Sequence, residues 1–395
     1  MPTYSKSRVS TLSVLPVFRP AMGQEEIDAV SQVLKSGWIG LGPKTEELEE
    51  KFAKFVDARY AIGLSSATAA LHLSMLALKV GKGDEVLVPS LTFVSTAHAA
   101  LYVGAKPVFV DVDEDTLCMD PDDLERKITE KSKAVIPVHF GGHATDLDKI
   151  HSIARKHKLF VVEDASHATG SEYKGKKIGS LSTITCFSFH AVKNLATGDG
   201  GMITTNDQKI ADKIKNLRWV GIDKGTWERE ELISDKGYRQ YGWYYDVTDL
   251  GYKYHMNDIA AAIGLVQLKK LKSTNAKRQK LAARYNKFLS KLSWIKTPLT
   301  KPWTKSATHN YVIKTLHRDD LNIFLKERKI STGVHYMPIH YFSYYVKNNL
   351  KADVPVTEKV WKTLLTLPLY PTLSLSDQDY VISSIGEFGR INNLE

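Results

Sequence analysis

The segment CFSFHAVKNLATGDGG, residues 186–201, contains the strongest indication of the fold. Its apolar start is typical of a buried strand, which stops at His190 and is followed by Lys193 and a glycine-rich turn. The apolar pattern resumes at Met202. A strand that ends in such a turn places its last side chains at a sheet edge, where open α/β sheets bind ligands. The amine of Lys193 could bond to a carbonyl group, although most lysines are only surface residues.

Short apolar strands alternate with helices on both sides of this segment, from residue 60 onward. The strands lack polar alternation, which indicates a parallel sheet covered on both faces. The sequence therefore predicts an α/β fold with a mostly parallel central sheet covered by helices. The proline-containing stretch PLTKPW precedes shorter strand and helix patterns. We therefore predict a large domain at residues 15–295, which includes the N-terminal helices, and a small C-terminal α+β domain at residues 296–395.

Composition excludes several classes of protein. The chain has 395 residues, of which 43% are hydrophobic and 25% charged, as in globular proteins with two domains. No apolar run approaches the roughly 20 residues of a membrane span, and the N-terminus lacks the pattern of a signal peptide. Cys118 and Cys186 lie far apart, which fits a reducing cytoplasm. The net charge of +10 suits a polyanion or a phosphorylated substrate, but without a binding motif we expect no nucleic acid.

Four strand ends carry groups that a ligand could use. Ala67 and Thr68 open a helix after the first strand, where free N–H groups and a hydroxyl could bind phosphate. Phe93 follows the next strand and could stack on a flat ring. Asp164 ends the apolar run LFVVED, where a carboxylate needs a cationic partner. Taken singly, a plain helix cap and a core ring are the better explanations of the first two sites, and a protein arginine could be the partner of the carboxylate at the third.

Together with Lys193, these groups match the requirements of pyridoxal phosphate. The cofactor needs a phosphate anchor, a stacked ring, an acid partner for its pyridinium nitrogen and a lysine for its aldehyde. Ser188 lies on the strand before Lys193 and could bind a phosphate oxygen. His167 could contact a ligand or be structural. The sequence therefore predicts pyridoxal phosphate as the cofactor and no metal ion.

The chain resembles the DegT/StrS family of sugar-nucleotide aminotransferases, which have the fold of type I pyridoxal phosphate enzymes. The resemblance extends from about residue 15 to the C-terminus and rests on six motifs in the same order: SSATAALHL, PSLTFVSTAHA, EDASHATG, SFHAVKNLATGDGG, GYKYHMNDIAAAIGLVQL and TGVHYMPIH. Two of them, SFHAVKN and GYKYHMND, are most similar to enzymes that act at C4 of a 4-keto sugar nucleotide, such as the UDP-4-amino-4-deoxy-L-arabinose synthases. The chain departs from the family at Ala67, where glycine is commoner, and at Lys253, where many members have asparagine.

The resemblance implies a role for each candidate residue. Lys193 is the catalytic residue that binds the cofactor aldehyde. The other cofactor contacts that it implies are Ala67, Thr68, Phe93, Asp164, His167, Ser188 and, from the partner subunit of a homodimer, Lys253. Trp38, His335, Tyr336 and His340 are the implied substrate-binding residues.

The implied reaction moves an amino group from an amino acid, which we expect to be glutamate, to the keto carbon of a nucleotide-linked keto-deoxy-sugar at C4. Two alternatives stay open: amination of a 3-keto sugar nucleotide or a cyclitol ketone, and a regulatory or binding protein with the same fold and no turnover. The presence of the lysine favours transamination over both the binding protein and the family's dehydratase branch, in which histidine replaces that lysine.

Overall fold

The computed structural model of the chain describes residues 14–223 and 245–394. In the first range the elements are α1 (Gln24–Ser36), α2 (Pro43–Val56), β1 (Tyr60–Leu64), α3 (Ala67–Ala77), β2 (Glu85–Pro89), α4 (Ser95–Tyr102), β3 (Lys106–Val110), α5 (Pro121–Lys127), β4 (Ser132–Val135), α6 (Leu147–His157), β5 (Phe160–Asp164), β6 (Glu172–Tyr173), β7 (Lys176–Lys177), β8 (Ile184–Ser188), β9 (Gly201–Thr205) and α7 (Gln208–Arg218). In the second range they are α8 (Asp258–Leu289), β10 (Thr304–Lys305), β11 (Tyr311–Lys314), α9 (Arg318–Glu327), α10 (Ser343–Lys347), α11 (Pro355–Val360), β12 (Leu364–Leu367) and α12 (Leu375–Ile391).

The central sheet has seven strands in the order β1–β9–β8–β5–β4–β2–β3. Neighbouring strands from β8 to β3 pair in parallel, whereas β9 pairs antiparallel with both β1 and β8. Because both neighbours run opposite to β9, β1 and β8 point in the same direction as each other. The predicted mostly parallel sheet is confirmed, and only β9 is reversed in it.

Both faces of the sheet are buried, which explains the continuous apolar strands. Val86 and Val88 of β2 join a cluster with α3 and α4, whereas Leu87 between them packs in a different cluster with α6 on the opposite face. On the side of β1 and β8, residues of α2 and α8 cover this opposite face. Alternate residues of one strand therefore lie in separate cores, which explains why most strand positions are apolar.

The C-terminal part of the chain has its own small antiparallel pair, β11 with β12. Its core combines these strands with α9 and α12, and it also contains Tyr285 and Leu289 from the end of α8. The α+β character of this part agrees with the predicted fold class. The boundary between residues 295 and 296 stays a prediction, and the predicted large domain includes residues 224–244, which lie outside the described residues.

Helix α8 is a single helix of 32 residues. Asn257 caps it by accepting a hydrogen bond from the N–H of Ala260 at 2.9 Å. Within the described ranges no helix, α8 included, is long and apolar enough to cross a membrane.

The first residue of α8, the buried Asp258, also binds the start of α2. Its carboxylate accepts hydrogen bonds from the N–H groups of Gly42, Lys44 and Thr45 and from the Thr45 hydroxyl, at 2.8–3.1 Å. A carboxylate at a helix N-terminus is favoured by both the free N–H groups and the helix dipole. Asp258 therefore fixes the glycine-rich loop that precedes α2.

Replacing this carboxylate should destabilise the protein more than removing an ordinary helix cap. We expect Asp258→Ala to lower the free energy of unfolding by about 2–4 kcal/mol, because several charge-assisted hydrogen bonds are lost together. Asn257→Ala, the matched control one residue earlier, should cost about 1 kcal/mol. Chemical denaturation of both variants measures the difference, and equal losses would contradict the capping role of Asp258.

Candidate active site

Four strand ends meet at one edge of the sheet. Strands β1, β2, β5 and β8 all point in the same direction, so the residues that follow their carboxyl ends lie side by side. Gly201 of β9 pairs with Leu64 on one side and Ser188 on the other, which fixes the end of β1 beside the end of β8. The sheet therefore brings the predicted phosphate, ring, carboxylate and amine positions to a common edge.

Lys193 lies in the turn between β8 and β9, where its N–H donates to the carbonyl of His190 at 2.9 Å. Burial lowers the pKa of its amine to about 8, although the negative charge of Asp164 acts in the opposite direction. No described residue forms a hydrogen bond with this amine. The amine is therefore free to react, and near neutral pH a useful fraction of it is unprotonated.

Asp164 ends β5 and is only 4% exposed. Its carboxylate accepts hydrogen bonds from the Thr96 hydroxyl at 2.8 Å and from the hydroxyl and N–H of Ser166 at 2.6 and 3.1 Å. All three donors are neutral, and among the described residues no cation lies within ion-pair distance of it. A buried carboxylate without such a partner is suited to a cationic ligand.

The start of α3 is the predicted anion site. Ser66 caps the helix by accepting from the N–H of Ala69 at 3.0 Å, which leaves the N–H groups of Ala67 and Thr68 at the open end of the helix. The Thr68 hydroxyl is 2.7 Å from that of Ser95. Gly201 packs so closely behind this turn that a Cβ there would lie 2.6 Å from the nitrogen of Ala67. Ala67 has ordinary helical backbone, so glycine is not required at that position.

His167 and Tyr336 form a hydrogen-bonded pair whose direction can be assigned. The N–H of Gly141 donates to Nδ1 of His167 at 3.3 Å, so Nδ1 has no proton. Nε2 of the neutral ring then has the proton and donates to the hydroxyl of Tyr336 at 3.1 Å. Burial and the nearby Lys193 charge hold the pKa of His167 well below its usual range. Tyr336 thus accepts from His167, and its own proton is free for another acceptor.

Phe93 and His335 lie around the same site. The ring of Phe93 is 58% exposed, and its centroid is 6.3 Å from that of Tyr336. An exposed ring at this position leaves one face available for stacking. His335 is hydrogen-bonded through Nδ1 to the Thr366 hydroxyl at 2.8 Å, and burial together with Lys193 lowers its pKa to about 4. Ser188 is buried at the end of β8.

Three predicted residues have their described contacts elsewhere. Trp38 borders a cavity of about 790 Å³ that Arg218 and Trp219 also line. His340 has both ring nitrogens engaged, with the Ser90 hydroxyl at 2.7 Å and with Glu358 at 3.2 Å. The amine of Lys253 lies 3.2 Å from the ring centroid of Trp219. The roles of these three residues in binding stay predictions.

Sequence reasoning missed Thr96, Asn194 and His309. Thr96 donates to Asp164, and the charge of Lys193 helps to lower the pKa of His309. Asn194 accepts a hydrogen bond from His309. The sequence offered a weak signal for Asn194, which directly follows Lys193. It offered another for His309, which belongs to the polar pair before the apolar strand β11.

A family model described as the DegT/DnrJ/EryC1/StrS aminotransferase family matches residues 20–386 of the chain. The chain belongs to this family. The predicted resemblance is therefore confirmed, together with the fold of type I and the class of pyridoxal phosphate-dependent aminotransferases. The roles of the individual site residues stay predictions.

Several members of this aminotransferase family are similar over nearly the whole chain. The spore coat polysaccharide biosynthesis protein SpsC of Bacillus subtilis is 43% identical over 94% of this chain and 96% of its own. The structure of the aminotransferase TlmJ from Streptoalloteichus hindustanus superposes with a TM-score of 0.88 at 33% identity and covers 96% of this chain and 100% of its own. Spr1654 from Streptococcus pneumoniae, assigned as a sugar aminotransferase, has the same TM-score and identity in its PMP form. Its structure covers 95% of this chain and 99% of its own.

The residues present fit the cofactor of this aminotransferase family. Asp164 is a buried carboxylate that lacks a cation, the start of α3 has free N–H groups, and Lys193 has an unbonded amine of lowered pKa. These features correspond to the pyridinium nitrogen, the phosphate and the aldehyde of pyridoxal phosphate.

Removing the charge of Asp164 should weaken the binding of the cofactor. We expect Asp164→Asn to weaken it by about 1.5–3 kcal/mol, or roughly 10- to 150-fold, because a charged hydrogen-bond acceptor is lost. Thr96→Val is the matched control, since it removes one neutral donor and keeps the charge; it should weaken binding less than about 10-fold. Equilibrium dialysis of the cofactor measures both, and equal effects would argue against a charged ligand at Asp164.

Proposed function

We propose that the chain transfers an amino group from glutamate to the C4 keto carbon of a nucleotide-linked keto-deoxy-sugar. The observation that carries the proposal is the unbonded, partly buried amine of Lys193 at the sheet edge that also holds Asp164 and the start of α3. The family supports the amino transfer. The similarity to SpsC, a protein of spore coat polysaccharide biosynthesis, and to sugar aminotransferases supports a sugar as the acceptor.

Each residue of the site has a task in this reaction. Pyridoxal phosphate supplies the electron sink that allows the carbon bearing the amine to lose a proton. Asp164 would keep the pyridinium nitrogen protonated, while Ala67, Thr68 and Ser188 would bind the phosphate. Phe93 would stack on the ring, and His167 would contact the cofactor.

Lys193 would hold the aldehyde through its amine and, once released, would be the group that moves the proton. Since burial lowers its pKa to about 8, its amine accepts a proton from a substrate carbon more readily at neutral pH than an exposed lysine could. Transfer from the amino acid and transfer to the ketone then use the same amine twice, in a ping-pong sequence.

The sugar is selected by residues outside this core of the site. Tyr336 and His335 lie beside the cofactor-binding groups, and the Tyr336 hydroxyl has a proton to donate to a sugar oxygen. The net charge of +10 suits a diphosphate-bearing substrate. The choice of C4 rests on the motifs SFHAVKN and GYKYHMND. Amination of a 3-keto sugar nucleotide or a cyclitol ketone is the alternative for this enzyme.

A substrate panel tests the reaction. The purified enzyme, first converted with glutamate to its pyridoxamine form, should recover its original cofactor absorbance when 4-keto sugar nucleotides are added, and Lys193→Ala should show no conversion. Recovery only with 3-keto sugar nucleotides or cyclitol ketones would contradict the C4 assignment. Absence of conversion by glutamate and by every other amino acid would contradict catalysis.

A homodimer with shared sites completes the proposal. Lys253 is exposed, as are the apolar side chains of Val247 and Leu250 earlier in the same segment, at 58% and 84%. Large exposed apolar side chains near a predicted cofactor ligand are expected where a second copy covers the surface. In this arrangement Lys253 reaches the phosphate site of the partner subunit.

Cys118 and Cys186 are both buried free thiols, which fits a cytoplasmic enzyme.

Mixed dimers test the sharing of sites. Alone, Lys193→Ala subunits should be inactive and Lys253→Ala subunits weakly active. When they are unfolded and refolded together in equal amounts, about a quarter of the sites should be intact, because half of the dimers are mixed and each mixed dimer has one complete site. Recovery of activity measures this, with refolded single variants as controls. If the mixture gains nothing although mixed dimers form, Lys253 does not act across the interface.

A further inference from the structure

Asn194 connects the turn that holds Lys193 to two distant parts of the chain. Its side-chain amide donates one hydrogen bond to Oδ1 of Asn275 on α8 and another to the carbonyl of Ala307, both at 2.8 Å. Asn275 in turn donates to the carbonyl of Thr169 at 3.0 Å. The residue next to the reactive lysine is thus tied to the longest helix and to the segment that leads into β11.

These two bonds determine the protonation of His309. The amide nitrogen of Asn194 is the atom that donates to Asn275 and Ala307, so the atom that faces His309 is the amide oxygen Oδ1. Because this oxygen can only accept, its partner Nδ1 of His309 at 3.0 Å must have the proton. The neutral tautomer with hydrogen on Nδ1 is therefore assigned. Burial and the charge of Lys193 hold the pKa of His309 well below its usual range, so the ring stays neutral in this arrangement.

The ring of His309 is itself held in place. It stacks on Phe18 with centroids 5.2 Å apart and an interplanar angle of 6°, and it lies 4.6 Å from the ring of His167 on the other side of the site. Its main-chain N–H donates to the carbonyl of Gly141 at 2.9 Å, and Gly141 also donates to His167. His309 is a rigid support because several independent contacts fix it.

The titratable groups that interact with the charge of Lys193 come from different elements. Asp164 lies at the end of β5, His167 in the loop after it, His309 before β11 and His335 between α9 and α10. The three imidazoles are neutral, so Asp164 is the only opposite charge among them. The position of the chain at residues 193 and 194 decides how deeply the amine is buried opposite that charge.

We propose that Asn194 and His309 are positioning residues for Lys193, and that the hydrogen bond from Nδ1 of His309 to Oδ1 of Asn194 holds the lysine in its buried place. The inference rests on the proposed role of Lys193 as the reacting amine. Neither residue needs to touch the substrate for this task. If the bond is broken, the turn moves outward, the amine becomes hydrated, and its pKa rises toward that of an exposed lysine.

Two substitutions of one residue separate the two nitrogens of His309. An asparagine amide reaches about the position of Nδ1, so His309→Asn keeps a donor for Asn194. A glutamine amide reaches about the position of Nε2, so His309→Gln keeps the polarity but loses that donor. Gln279→Leu is the matched control, because Gln279 donates to the carbonyl of Ser306 in the same segment without contacting Asn194.

The readout is the pKa of the Lys193 amine in the full-length enzyme in its pyridoxamine phosphate form, in which this lysine is free. Competitive acetylation across a pH series, followed by mass spectrometry of the Lys193 peptide, gives this value. We expect the same pKa for the unaltered enzyme, His309→Asn and Gln279→Leu, and a rise of at least about one unit for His309→Gln. Thermal unfolding measured in parallel reports any general loss of stability.

An unchanged pKa in a folded His309→Gln enzyme overturns the inference, and so does an equal rise in His309→Asn or Gln279→Leu. If His309→Gln does not fold, Asn194→Ala removes the same bond from the other side; a raised pKa supports the inference and an unchanged one defeats it. The labelling uses no sugar nucleotide. A failed substrate panel would therefore not affect the pKa result. Turnover of keto sugars without the pKa shift would contradict only this inference.

Discussion

The reversed strand β9 is the constraint on which the site depends. It pairs with β1 and β8 at once, so that Leu64 and Ser188 lie on either side of Gly201. Because residue 201 has no side chain, the start of α3 can pack directly against it. The predicted anion-binding end of the site and the turn with Lys193 are therefore built on the same glycine. A larger residue there would force the two apart, since the contacts are to backbone atoms that cannot rotate away.

Burial at this edge lowers the pKa of the amine to which we assign the chemistry. The amine of Lys193 loses hydration, which favours its neutral form, and Asp164 partly opposes that change. Asp164 itself is stabilised by neutral donors alone, Thr96 and Ser166, so its charge remains available for a cationic ring. The surrounding imidazoles of His167, His309 and His335 are neutral for the same physical reason, the cost of a buried charge. One desolvated environment thus sets the protonation of every group around the lysine.

The sequence predicted what local patterns determine. Strand ends at Asp164 and before Lys193 and the helix opening at Ala67 follow from neighbours within a few residues. The rest depends on contacts between distant residues. The bond between Asn194 and His309 spans 115 positions, and the contact of Asp258 with Thr45 spans 213. No periodicity indicates such pairs, which explains why His309 was missed. The same limit applies to His340, whose nitrogens are occupied by Ser90 and Glu358.

The central claim is that Lys193, among all the lysines of the chain, is the residue whose amine bonds to the cofactor. Reduction of the holoenzyme with borohydride, followed by peptide mass spectrometry, tests this claim directly because it makes the bond permanent. The account predicts one phosphopyridoxyl group per chain, on the peptide that contains Lys193, and no such group when glutamate is added before reduction. A modified peptide that contains a different lysine, with Lys193 unmodified, would contradict the account.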